Sequence, residues 1–214
     1  MKPRCLVFAP GFGDPSIVID QLAKRFTDYD KVVLSYHNRG VTQSIPKTTL
    51  DLLPLMDALR VGYEHITFIG HSMGGLIGRC LEFLRPGLLD AYVSIATPHG
   101  GTYLANIDRW GISPSIADMS PFTGFLEGLE SKPWVIPSLV ISAKWDQLIF
   151  PQYSALDLVG ENVEKTTIPW TEHVTVALSE RTYLEIWGWL TYAIFGETGL
   201  EGPSGTHSRW KKPL

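Results

Sequence analysis

Gly70-His71-Ser72-Met73-Gly74-Gly75 is the stretch of this chain whose residue types and spacing could carry chemistry. It lies between the apolar run His65-Ile66-Thr67-Phe68-Ile69 and the helix-like pattern Leu76-Ile77-Gly78-Arg79-Cys80-Leu81. Strand, then Gly-x-Ser-x-Gly, then helix is the sequence form of a nucleophile elbow, a sharp, strained turn that lifts a serine hydroxyl above the edge of a sheet. The flanking residues must be small so that backbones can pass close, which accounts for glycine two residues before and two after. Ser72 is therefore the candidate nucleophile. A serine hydroxyl is weak at neutral pH and needs a base to take its proton. The base in turn needs an acid to hold it in the right tautomer.

Those groups must be brought together by the rest of the chain. Short apolar runs at 5–9, 31–35, 65–69, 91–96, 138–142 and 163–168 read as strands. Amphipathic stretches at 15–27, 47–62, 72–85 and 183–195 read as helices, with a weaker one at 152–157. Arg85-Pro86-Gly87 ends the helix that follows the elbow. Strands separated by helical crossovers predict an α/β protein, with an about six-stranded, mostly parallel sheet and helices on both faces.

In such a sheet, ligands bind outside the carboxyl ends of the strands. The residues there are Pro10-Gly11-Phe12-Gly13-Asp14, Tyr36-His37-Asn38-Arg39, Ser72, Thr97-Pro98-His99-Gly100-Gly101-Thr102, Lys144-Trp145-Asp146 and Trp170-Thr171-Glu172-His173. A serine after the third strand, an acid after the fifth and a histidine after the sixth give the chain order Ser…Asp…His. Of the six histidines, His173 alone lies between the last strand and the last helix. It is the expected base. His71, inside the elbow, is expected to point elsewhere. Tyr36, His37 and Arg39 are expected at the mouth of the site, as a solvated loop or as contacts to a polar head group.

With these residues in hand, the chain resembles the α/β-hydrolase superfamily in its minimal six-stranded form, and within it small bacterial-type lipases and esterases. Four features carry the resemblance: Phe8-Ala9-Pro10-Gly11-Phe12-Gly13, the elbow, Ala96-Thr97-Pro98-His99-Gly100-Gly101-Thr102, and Asp146 and His173 at their strand ends. It extends to about Phe195. Pro10 stands where this family often has histidine, which keeps the backbone turn. The resemblance implies a Ser72–Asp146–His173 triad, an oxyanion hole made by the backbone N–H groups of Phe12 and Met73, and a supporting role for His99. It implies acyl-ester hydrolysis through an acyl-enzyme, with a thioesterase, a phospholipase or a silent binding protein as alternatives.

Residues 103–137 break the strand–helix rhythm and form an excursion rich in Pro, Gly and aromatics. Trp110, Phe122, Phe125 and Leu126 within it are the candidate acyl-binding wall, part of a small lid, or packing under a loop. Residues 1–196 are expected to form one domain, with 197–214 a loose tail.

With 214 residues, 44% of them apolar, the chain can bury a real core. A net charge of −4, mixed along the chain, gives no footprint for nucleic acid. No cysteine pair or His-x-x-x-His run points to a metal, and no cofactor is implied. The partner expected is a small acyl ester or lipid. No segment reaches the ~18 apolar residues of a membrane span. The sequence as written reads as cytoplasmic, or as secreted if a leader has been removed. It leaves the oligomeric state open.

Overall fold

A computed structural model describes residues 3–103, 113–121, 123–149, 158–197 and 203. The expected helix at 152–157, the side chains of Trp110 and Phe122, and residues 198–214 apart from Pro203 lie outside the described residues. Six strands form one sheet: β1 (Arg4–Ala9), β2 (Asp30–Val33), β3 (His65–His71), β4 (Ala91–Ile95), β5 (Ser138–Ala143) and β6 (Val163–Ile168). Their order is β2-β1-β3-β4-β5-β6. Every neighbouring pair is parallel.

A parallel sheet is covered on both faces, so its central strands are apolar throughout rather than alternating. Cys5, Val7 and Ala9 of β1 pack into one core with α2 (Ile45–Gly62), α3 (Met73–Leu84) and Leu126 and Leu129 of α5 (Gly124–Glu130). Leu6 and Phe8 face the other core, with α1 (Ile17–Ala23), α6 (Thr175–Leu178) and α7 (Glu180–Gly188), which continues as a π-helical turn over Trp189–Ile194. α4 (Pro114–Asp118) lies within the excursion.

Several boundaries differ from the sequence reading for local reasons. α2 begins two residues early because Ser44 Oγ accepts the Lys47 amide N–H at 3.3 Å and a proline sits in its first turn. It runs through Pro54, which is exposed, so water can reach the carbonyl left without its N–H partner. Among its described residues the excursion contains two short helices, α4 and α5. Among the described residues no helix is long and apolar enough to cross a membrane.

Candidate active site

Ser72 sits between β3 and α3 with φ 52° and ψ −126°, a backbone conformation that L-residues rarely adopt. Its surroundings enforce this. The Ser72 amide donates to the carbonyl of Ile95 at the end of β4, at 2.8 Å. A Cβ on Gly70 would lie 2.6 Å from the Gly74 carbonyl oxygen, and one on Gly75 would lie 2.7 Å from a Thr97 methyl. The glycine spacing is thus required by the chain's own backbone and by the loop after β4.

His173 Nε2 lies 2.9 Å from Ser72 Oγ. His173 Nδ1 lies 2.9 Å from Asp146 Oδ2. The other carboxylate oxygen of Asp146 accepts the amides of Leu148 at 3.0 Å and Ile149 at 2.7 Å. An ionised Asp146 can only accept, so Nδ1 of His173 carries the proton and its Nε2 lone pair faces the serine hydroxyl. All three side chains are buried. This arrangement can move the serine proton onto His173 while Asp146 faces the resulting imidazolium.

Gly11–Asp14 forms the turn after β1. The Asp14 amide donates to the Gly11 carbonyl at 3.3 Å, and Gly13 takes φ +68°. Phe12 is a central residue of this turn. Met73 is the first residue of α3, where backbone N–H groups have no intrahelical acceptor and the helix dipole favours negative charge. Gly11, Phe12, Gly13 and Ser72 line one cavity of about 400 Å³. Its apolar wall comes from Val18, Ile116, Met119, Leu148, Ile149 and Val174. Asp14 also lines it, and burial pushes its carboxyl pKa upward.

Two expectations need correction and a third resolves. Tyr36 is not at the mouth: it is buried, and its hydroxyl donates to the Pro10 carbonyl at 3.3 Å, propping the turn. Its neighbours His37 and Arg39 are exposed. Of the alternatives for Phe125 and Leu126, the structure places them as packing in the core with α5, and Ile116 and Met119, which join the same core, also line the cavity. His71 does not point away. It lines the cavity and its Nε2 lies 2.9 Å from the backbone oxygen of His173. Nothing in spacing or periodicity could have revealed this contact, which depends on how the loop after β6 folds over β3.

His99 is fully buried with its own partners. Arg79 donates toward its Nδ1 at 3.4 Å, so its Nε2–H faces Ser94 Oγ at 3.0 Å. Burial holds its pKa well below the usual histidine range. Among the described residues no group of three or more His, Cys, Asp or Glu side chains is gathered as a metal site.

No family model matches the chain. A stretch of 98 residues is 35% identical to RutD, named as a carbamate hydrolase, from Pseudomonas savastanoi pv. phaseolicola; it covers 42% of this chain and 37% of that protein. A stretch of 92 residues is 35% identical to the phospholipase A(1) LCAT3 of Arabidopsis thaliana, covering 38% of this chain and 18% of that one. The matched stretches are thus well under half the length of these curated relatives. Among solved structures, one from the metagenome-derived lipolytic enzymes LipS and LipT superposes with a TM-score of 0.70 at 16% identity, covering 91% of this chain and 94% of that one. The fold is that of the α/β-hydrolases.

Proposed function

We propose that this chain is a serine hydrolase of carboxylic acyl esters. The observation that carries the reading is the Asp146–His173–Ser72 hydrogen-bonded chain, 2.9 Å at each link, opening onto a largely apolar cavity beside the turn that holds Phe12. In this reading Ser72 Oγ attacks the acyl carbonyl as His173 Nε2 takes its proton. The N–H groups of Phe12 and Met73 stabilise the oxyanion, each such donor contributing roughly 3–4 kcal/mol. The tetrahedral adduct collapses, the alcohol leaves with the proton from His173, and an acyl-Ser72 ester remains. Water, deprotonated by His173, attacks that ester. The acid departs and Ser72 regains its proton. No metal or cofactor enters any step.

The lipolytic structural neighbour and the phospholipase relative support an ester or lipid substrate. The carbamate hydrolase relative supports a second reading, attack on a carbamate carbonyl by the same groups. Hydrolysis of p-nitrophenyl esters from acetate to palmitate, with a nitrophenyl carbamate alongside, tests both. Ester turnover with labelling of Ser72 by a fluorophosphonate is expected. Carbamate turnover exceeding that of every ester would favour the second reading, and absence of both turnover and labelling would refute the proposal.

A further inference from the structure

The residue before the candidate nucleophile is a histidine enclosed by protein. His71 is only 3% exposed, yet its ring lies against that of His173, centroids 5.1 Å apart. Its Nε2 lies 2.9 Å from the His173 backbone oxygen. A carbonyl only accepts, so Nε2 carries the proton. Nδ1 is buried with no hydrogen-bond partner among the described residues and faces Gly11, where an added Cβ would lie 3.2 Å away. A proton on Nδ1 would therefore have no acceptor, and the ring is fixed as a neutral Nε2–H donor. Burial and the neighbouring His173 agree, holding its pKa down to about 4.

We propose that His71 is a positioning residue for His173: its Nε2–H clamps the backbone of the base to the elbow that carries the nucleophile. This rests on the serine hydrolase reading. Apart from the His173 Nε2–Ser72 Oγ contact itself, the other bonds of the loop after β6 among the described residues are local or reach the acid's loop, such as Thr171 Oγ1 to the Ile168 carbonyl, the Trp145 amide to the Thr171 carbonyl, and the Val176 amide to the Glu172 carbonyl. The His71 bond joins His173 itself to the residue preceding Ser72. It fixes the distance between base and nucleophile without entering the proton relay. A neutral ring is suited to this place. A cation there would oppose the imidazolium that forms on His173 in each attack.

The test compares His71→Leu, which removes the donor at similar volume, with His71→Gln, whose amide can still donate. Removing the donor is expected to lower kcat on p-nitrophenyl butyrate and the rate of fluorophosphonate labelling by about 10- to 100-fold, because small misplacements of reacting groups have effects of that size. KM should stay within about threefold, since Val18, Ile116, Met119, Leu148, Ile149 and Val174 of the cavity wall are unchanged. His71→Gln should recover most of the loss. Equal labelling rates in wild type and His71→Leu, or a Gln variant as impaired as the Leu variant, overturns the clamp while leaving the serine hydrolase reading intact. Absence of labelling in the wild-type chain sinks that reading and the clamp with it. Should His71→Leu fail to fold, 15N NMR of the wild-type histidine rings at neutral pH decides: the Nε2–H tautomer is expected at His71, and the Nδ1–H tautomer or a doubly protonated ring refutes the proposal.

Discussion

Gly74 of α3 lies directly against the end of β1: a Cβ on Gly74 would meet the Ala9 carbonyl oxygen and lie 2.6 Å from that of Pro10. The helix that follows Ser72 is thus seated on the strand that leads into the Gly11–Asp14 turn. Gly74→Ala must push the two apart. Overpacking of this kind destabilises by about 1–3 kcal/mol, and here the displaced backbone carries the Phe12 N–H. Urea denaturation should register the loss, and kcat should fall more than KM rises. Wild-type stability and turnover in Gly74→Ala would show that the contact yields without consequence.

Strain at the elbow is separately measurable. Ser72→Ala should abolish ester hydrolysis while keeping the fold. Ser72→Gly should be equally inactive but more stable than Ser72→Ala by about 1 kcal/mol, because glycine adopts a φ of 52° without a Cβ penalty. Thermal unfolding of the two variants, side by side, checks it. An alanine variant at least as stable as the glycine variant would mean that the turn is unstrained.

The acid can be assigned by contrast. Asp146→Asn should lower turnover by about 10³- to 10⁴-fold with little change in Tm, because the amide would favour the wrong tautomer of His173. Glu172 is exposed and faces Gln147, so Glu172→Gln should turn over ester like wild type. The reverse pattern in steady-state kinetics would move the acid to Glu172.

Two buried neutral histidines set the direction of acid sensitivity. In the unfolded chain His71 titrates near 6.5; in the fold burial lowers that to about 4. His99 is shifted in the same direction. Between these values the unfolded chain binds more protons than the folded one, so stability is complete above about pH 6.5 and declines as pH falls. The slope approaches about 1.4 kcal/mol per pH unit for each such histidine. Urea midpoints at pH 7, 5.5 and 4.5 should fall in that order, and His71→Gln should flatten the decline. A His71→Gln slope equal to wild type would remove His71 from this account.

The excursion supplies a test of wall against core. Met119 and Leu126 belong to one core, but of the two only Met119 also lines the cavity. Met119→Ala should raise KM for octanoate esters far more than for acetate. Leu126→Ala should instead lose about 2–5 kcal/mol of stability with its chain-length preference unchanged. A shift of preference in Leu126→Ala would place its side chain against the acyl group after all.

The sheet and the strand ends were legible in the sequence because β1, β3, β4 and β5 are covered on both faces and read as unbroken apolar runs between helical stretches. Ser72, Asp146 and His173 stood out because a glycine-flanked serine and two polar residues at strand ends have few other uses. Leu126 and Met119 look alike in sequence: both are apolar residues of the excursion and both join one core, and only the tertiary packing brings Met119 to the cavity as well. Tyr36 and His71 depart from their expected places for a related reason. Each is a polar residue at a strand end, and each spends its polarity on a carbonyl from a distant loop, Pro10 or His173, which no local pattern encodes.

β6 is the edge of the sheet, paired only with β5 among the described strands, and Glu164, Lys165 and Thr167 of it are exposed. The loop carrying His173 hangs from this strand, while Ser72 is anchored between β3 and β4 in the centre. Amide hydrogens of an edge strand exchange through local opening well below the free energy of global unfolding, whereas central strands open only with the whole molecule. His173 is therefore expected in a less protected cooperative unit than Ser72. Rising denaturant should detach His173 and end turnover while β1, β3 and β4 still protect their amides, leaving an intermediate with a folded elbow from which His173 has come away.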